Sequence, residues 1–152
     1  DQSVRYLTAR YRFGPGEDIL EPLEDGLSSR IRFTIELCER REGLFAFLGD
    51  PVVNEERVEY IGYRDFFAGV FVWEDEFGGR STFASPREFL DAFRTLTRYP
   101  LPEPPPGSDH ERFYIRVRVR INQVELTPPL TLIYLISRSG IYESEWYTVE
   151  DR

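Results

Sequence analysis

The chain has 152 residues, of which 41% are hydrophobic and 15% aromatic, enough for the core of one domain. Nineteen basic residues against 27 acidic ones give a formal charge of −8, which repels nucleic-acid backbones and anionic lipids at long range. All basic residues are arginine, with one histidine and one cysteine, which excludes lysine chemistry, Cys–His zinc sites and internal disulfides. We therefore expect a single domain over residues 1–152, without cofactor, metal or nucleic-acid partner.

Alternating apolar and polar residues predict two strands early in the chain, at residues 4–13 and 31–40. Between them, a short irregular helix is predicted near residues 17–25, because acidic residues favour its start and Pro22 disturbs its middle. Residues 44–48 are apolar on both sides, so their packing stays open.

Three further strands are predicted at residues 57–64, 69–74 and 80–84, where β-branched and aromatic residues are frequent. Turn residues separate these segments by only a few positions. The arrangement predicts an antiparallel meander.

The clearest local signal is a helix start after the meander. Ser85 can accept a hydrogen bond from the N3 amide, Pro86 suits the first helical position, and Glu88 can complete a capping box. An apolar stripe follows, so we predict one well-defined helix near residues 86–98. The proline-rich residues 100–110 are predicted to form an extended connector.

The strictest alternation lies at residues 112–122, and two more strands are predicted at 131–137 and 141–149. The total is about eight mostly antiparallel strands. This pattern indicates a mainly β (α+β) fold, either a two-layer sandwich or a strongly curved sheet, with the helix packed on one side.

An arginine stripe, Arg116, Arg118 and Arg120, lies on one face of the 112–122 strand. Acidic residues of neighbouring strands either neutralise the stripe by cross-strand pairing or leave it free to bind anions. The proposed neighbours are Glu36, Glu59 and Glu74. If Arg116→Ala/Arg118→Ala leaves the binding of every tested anion unchanged, the anion-binding interpretation fails.

Several aromatic residues either fill the core or form an exposed contact surface for a partner or ligand. These residues are Phe45, Phe47, Phe66, Phe67, Tyr142 and Trp146. Phe66 and Phe67 are the pair most expected at the surface, because a turn rarely buries two large rings.

Catalytic signals are weak. His110 follows the proline-rich connector, where we expect an exposed backbone, so a serine triad is not favoured. Carboxylate clusters suitable for hydrolysis arise readily by chance among 27 acidic residues. The clusters are Glu74, Asp75 and Glu76; Glu143 and Glu145; and Asp50, Glu55 and Glu56. Cys38 is interpreted as a strand residue, with a reactive thiol as the alternative.

The order of several short motifs resembles a bacterial family known as domain of unknown function 4390. The motifs occupy residues 7–13, 23–26, 33–41, 60–63, 83–85, 114–118, 126–130 and 144–146. Phe45 and Phe47 stand where family members usually carry tryptophan. The resemblance implies a hydrophobic N-terminal export or anchor segment, in keeping with a chain that begins at Asp1 and lacks methionine. It implies no known activity.

These observations favour an extracytoplasmic domain of a bacterial envelope protein, periplasmic or anchored through an N-terminal segment. Its role would be structural or interactive rather than enzymatic, with another envelope protein as partner. One alternative is a carrier that holds a small apolar or anionic ligand between sheet and helix. The other is a carboxylate-dependent hydrolase. The oligomeric state is left open.

Overall fold

A computed structural model describes residues 4–14, 17–125 and 141–149, and these form two antiparallel sheets with two short α-helices. The strands are β1 (Tyr6–Arg10), β2 (Ser28–Glu39), β3 (Val52–Asp65), β4 (Val70–Asp75), β5 (Arg80–Phe83), β6 (Thr95–Pro100), β7 (Phe113–Glu125), β8 (Ile141–Glu143) and β9 (Tyr147–Val149). The helices are α1 (Leu20–Glu24) and α2 (Pro86–Phe93), with 3₁₀ turns at Gly43–Leu48 and His110–Arg112. The mainly β prediction is confirmed.

The large sheet has the order β5-β4-β3-β2-β7-β8, and β9 also pairs with β7. β2 lies inside this sheet, between β3 and β7. The period-two pattern of its sequence directs alternate apolar side chains to one face, where they join the core. The inward residues of β2 oppose those of β7, as in the pairs Phe33↔Val119 and Ile35↔Val117. The predicted β3-β4-β5 meander is confirmed by consecutive pairing.

The two α-helices and the small β1–β6 sheet contribute the other side of the core. Phe89 and Phe93 of α2 are fully buried, with stacked rings 5.2 Å apart, and Phe71 of β4 stacks on Phe89 at 5.4 Å. Leu7 of β1 and Leu96 of β6 join the same cluster. The helical and β contributions therefore share one hydrophobic core in the described part of the chain.

The predicted start of α2 is confirmed, but its predicted length is wrong. Ser85 Oγ accepts a hydrogen bond from the Glu88 amide at 3.5 Å. The helix ends at Phe93, and the chain continues as β6 in place of the predicted helical residues up to 98. The position of Leu96 fits the apolar face of a helix and also that of a strand, so the pattern does not distinguish the two. Pairing with β1 gives the backbone of residues 95–100 hydrogen-bond partners, and this favours the strand.

Other boundaries also differ from the sequence-based prediction. Pro100 belongs to β6 rather than to the connector, and β1 is shorter than residues 4–13. Residues 141–149 form two strands instead of one, because Ser144 interrupts them: its amide donates to the Val119 carbonyl at 2.8 Å, and its hydroxyl accepts from the Val119 amide at 3.0 Å. The predicted strand at 131–137 lies outside the described residues.

Candidate interaction surface

The connection between β2 and β3 ends in an exposed apolar surface. The 3₁₀ turn Gly43–Leu48 contributes no buried residue. The exposed fractions are 88% for Leu44, 64% for Phe45, 80% for Phe47 and 60% for Leu48, followed by 43% for Val52 and 41% for Val53. We call these six residues the apolar tip. Large contiguous apolar patches are rare on monomeric proteins and mark contact sites.

The apolar tip projects from a base that hydrogen bonds hold in place. Gly43 and Gly49 bracket the turn with φ of 75° and 77°, values that favour glycine. The Arg41 amide donates to Asp50 Oδ1 at 2.8 Å, and the Tyr114 hydroxyl donates to Asp50 Oδ2 at 3.0 Å. These two bonds, first that from the Arg41 backbone, lower the pKa of Asp50.

Two arginines behind the apolar tip, Arg40 and Arg112, have partners within the chain. The Arg40 guanidinium lies 5.6 Å from the centre of the Tyr114 ring and donates to the Glu111 carbonyl at 3.3 Å. Arg112 forms an ion pair with Glu39 at 2.9 Å. The base of the apolar tip is thus polar and ordered, while the tip itself carries no charge.

Exposed phenylalanines also occur in two other turns of the sheet. Phe67 is fully exposed and Phe66 is mostly exposed in the β3–β4 turn, and Phe77 is 89% exposed in the β4–β5 turn. The Arg64 guanidinium lies 5.3 Å from the Phe66 ring centre, so Phe66 also has an intramolecular contact. Asp65 Oδ1 accepts from the amides of Phe67 and Ala68 at 3.0 Å and so holds the β3–β4 turn.

The arginine stripe is largely neutralised within the sheet. Arg116 Nε donates to Glu36 Oε2 at 2.7 Å, and Arg118 pairs with Glu143 of β8 at 2.9 Å. Arg120 lies opposite Glu143 in the register of β7 and β8. The expected role of Glu36 is therefore met, and Glu143 is a partner that the sequence interpretation missed.

Glu59 and Glu74, the other expected partners of the stripe, are engaged elsewhere. Glu59 accepts from Arg30 of β2 at 2.5 Å and also from Arg32. Glu74 accepts from the Tyr63 hydroxyl at 2.7 Å. The reason is strand order, because β2 lies between β3 and β7, and β4 is one strand further away.

The two aromatic candidates near the C-terminus have structural contacts. The Trp146 ring centre lies 4.5 Å from the guanidinium carbons of both Arg116 and Arg118, which places the indole over the stripe. Tyr142 is half-buried against the core and pairs with Ile121 in the sheet register. Among the aromatic candidates, only Phe45 and Phe47 belong to the apolar tip.

The groups considered for catalysis do not meet in one place, because none of the predicted carboxylate clusters contributes a residue to the cavity that His110 lines. His110 is exposed in the 3₁₀ turn that follows the connector. Asp75 Oδ1 accepts from the amides of Phe77 and Gly79 at 2.9 and 2.7 Å and so serves to hold a turn. Cys38 is buried, and burial raises the pKa of its thiol. The described residues contain no group of three His, Cys, Asp or Glu side chains suited to a metal.

A cavity of about 770 Å³ opens at one end of the space between the two layers. Its apolar walls include Leu37, Leu101 and Ile115, and Arg5, Arg40 and His110 lie among its polar lining. A second cavity of about 460 Å³ shares Val149 with the first and is lined by residues of β1 and β7. These cavities have the size of small-molecule sites.

Four residues of the apolar tip were not among the predicted contact residues, namely Leu44, Leu48, Val52 and Val53. Their apolar character was visible, but alternation alone assigns such residues to the core. For Leu44 and Leu48, the signal for exposure was the pair Gly43 and Gly49. These glycines bracket an uncharged run of residues 44–48, which is too short to form a core helix.

The fold and this surface define a mainly β protein with an exposed apolar hairpin end and no convergent catalytic groups among the described residues. Within the same part of the chain, no helix combines the length and the apolar character needed to cross a bilayer. The chain belongs to the family DUF4390, described as a domain of unknown function, whose model matches residues 1–150. This confirms the resemblance, and a family so described gives no evidence of catalysis. Comparison with curated proteins and with solved structures found no match.

Proposed function

We propose that this protein is a non-enzymatic interaction domain that docks an apolar partner surface through the apolar tip. The observation that carries the proposal is the exposure of Leu44, Phe45, Phe47 and Leu48 on a turn with no buried residue. These side chains contribute nothing to the core, so folding alone does not explain them. Full burial of one such side chain contributes about 1.5–3 kcal/mol, so a partner that covers several gains substantial affinity.

The same proposal places the domain outside the cytoplasm, in the bacterial cell envelope. Support comes from the family resemblance, which implies a hydrophobic N-terminal export or anchor segment. Neither nucleic acid nor an anion bound at the arginine stripe is a favoured partner, since the net charge is −8 and Arg116 and Arg118 of the stripe are paired within the sheet.

Retention on a phenyl matrix at moderate salt tests whether the apolar tip is available for docking. The double variant Phe45→Ser/Phe47→Ser is expected to elute earlier than the native protein, because two exposed rings are lost. Phe77→Ser is the matched control, since it removes an equally exposed ring from a different turn.

Equal retention of the native protein and the double variant would contradict the proposal. Circular dichroism and a urea titration show whether both variants keep the native fold. No loss of stability is expected, because the substituted rings lie outside the core.

A second candidate function, a carrier of a small amphipathic anion, is favoured by the cavity of about 770 Å³. Its apolar walls suit a hydrocarbon portion, and Arg5 and Arg40 suit a carboxylate or phosphate group. Native mass spectrometry of the purified protein tests this candidate. A co-purifying ligand that Leu101→Trp displaces would favour the carrier over the interaction domain.

A further inference from the structure

We infer that the partner of the apolar tip is a lipid bilayer surface, which the tip enters end-on. This inference rests on the proposed function and names its partner. The turn Gly43–Leu48 lies at the end of the β2–β3 hairpin. A projecting hairpin end suits insertion into a bilayer better than it suits contact with a flat protein surface.

Apolar side chains are exposed on more than one side of the hairpin end, and Phe45 and Leu48 also border a pocket beside Pro51 and Arg112. The 3₁₀ turn exposes all four of its large side chains, so no side of the turn is reserved for the protein core. Val52 and Val53 are adjacent in β3 and therefore point to opposite faces of the strand, yet both are exposed. A flat protein surface would cover one side of this hairpin end. An inserted end is covered from all sides by acyl chains and headgroups.

The base of the tip suits shallow insertion. The hydrogen bonds of Asp50 to the Arg41 amide and the Tyr114 hydroxyl fix the point from which the tip projects. Charged residues begin immediately outside the two glycines, with Arg40, Arg41 and Glu42 on one side and Asp50 on the other. These charges remain at headgroup level, because charged side chains in the hydrocarbon region are costly. The residues between the two glycines are therefore the ones that enter the hydrocarbon region, and Val52 and Val53, which follow Asp50, stay at headgroup level.

The charge balance indicates which lipid is needed. Two arginines and two acidic residues flank the turn, so the base has no net attraction for anionic headgroups. The whole chain, at −8, is repelled by an anionic surface. Binding is thus driven by apolar burial, and zwitterionic lipid is sufficient.

Co-sedimentation with phosphatidylcholine vesicles at millimolar lipid tests the inference. We expect the native protein to partition onto the vesicles, and Phe45→Ser/Phe47→Ser to lower the partition coefficient by at least about tenfold. Phe77→Ser should leave it unchanged within about twofold, because that ring belongs to another turn. Raising the salt concentration should not weaken binding, and adding phosphatidylglycerol should not strengthen it.

A reporter variant locates the inserted residue. Phe47→Trp is expected to show a blue-shifted emission with vesicles and to be quenched by lipids brominated on the acyl chain. The two native tryptophans lie outside the tip, and their signal is subtracted with the unsubstituted protein.

Three results would overturn the inference in distinguishable ways. If the phenyl matrix retains the protein through the tip but vesicles bind it no better than the double variant, the lipid partner is wrong and an apolar groove of a protein takes its place. If neither phenyl retention nor vesicle binding depends on the tip, the proposed function fails as well. Binding only to vesicles with phosphatidylglycerol would overturn the apolar mode of insertion.

Discussion

At the scale of single residues, Gly62 shows how closely α2 approaches the large sheet. A Cβ atom at Gly62 would lie 2.7 Å from Phe89 Cζ and 2.9 Å from Phe93 Cε2. Both rings are fully buried and stacked on each other, so they have little room to move. The glycine is thus required by packing and not by its backbone conformation.

We therefore expect Gly62→Ala to lower the free energy of unfolding by about 1–3 kcal/mol, as measured by urea titration. Gly14→Ala is the control, because its added methyl would lie 3.3 Å from Glu17 Oε1, a contact that a shift of a few tenths of an ångström relieves. A Gly62→Ala protein as stable as the native one would show that α2 can shift away from the sheet at little cost.

Glu59 of β3 forms ion pairs with two arginines of β2. Its side chain is 17% exposed and accepts from both Arg30 and Arg32. Burial acts to raise the pKa of Glu59, but the two arginines outweigh it, and the net effect lowers the pKa below the usual 4.5. The ionised form is therefore bound more tightly in the folded than in the unfolded protein.

This shift predicts the pH dependence of a Glu59→Gln variant. The stability contributed by the carboxylate is fully present above pH 4.5 and is lost as the pH falls through the lower pKa of the folded state. The difference in unfolding free energy between native protein and variant should therefore be largest at neutral pH and shrink below pH 4.5. Glu103→Gln serves as the control, because Glu103 is exposed and a surface substitution usually changes the unfolding free energy by less than about 0.5 kcal/mol.

At the scale of elements, the start of α2 was readable from local sequence and its end was not. The cap at Ser85 is a contact within four residues, so local chemistry determines it. The end at Phe93 depends on β1, which lies more than 80 residues earlier in the chain and pairs with β6. The sequence of β1 or of β6 alone does not show that the two strands pair with each other, so the end of α2 could not be predicted from local sequence.

Ser85→Ala should lower the unfolding free energy by about 0.5–2 kcal/mol, because the Glu88 amide loses its acceptor. Ser85→Asp retains an acceptor at the same position and is expected to restore most of the stability. Thermal unfolding followed by circular dichroism measures both. If the alanine and aspartate variants melt together, the cap contributes nothing.

At the scale of the whole molecule, net charge and the apolar tip together govern self-association. The formal charge of −8 keeps molecules apart at neutral pH and vanishes near the isoelectric point of 4.8. The exposed tip then has no opposing repulsion. Association through the tip is expected to follow.

Light scattering between pH 7 and pH 4.8 tests this expectation. The native protein should associate as the pH approaches 4.8, and Phe45→Ser/Phe47→Ser should remain dispersed to higher concentration. Phe77→Ser should behave like the native protein if the contiguous tip, and not a single exposed ring, is responsible. Identical scattering of the native protein and the double variant would locate the association elsewhere.

The sequence by itself determined the mainly β class, the β3-β4-β5 meander, the cap of α2 and the alternation of β7, because each depends on neighbours within a few residues. Tertiary structure alone decided that Phe45 and Phe47 stay in water, that Glu143 neutralises Arg118, and that residues 95–100 pair with β1. The physical reason is that exposure and partner choice depend on what other parts of the chain bring near a residue. The apolar run at 44–48 has the composition of a core segment, yet it is exposed because it extends past the end of the sheet, where no described segment packs over it.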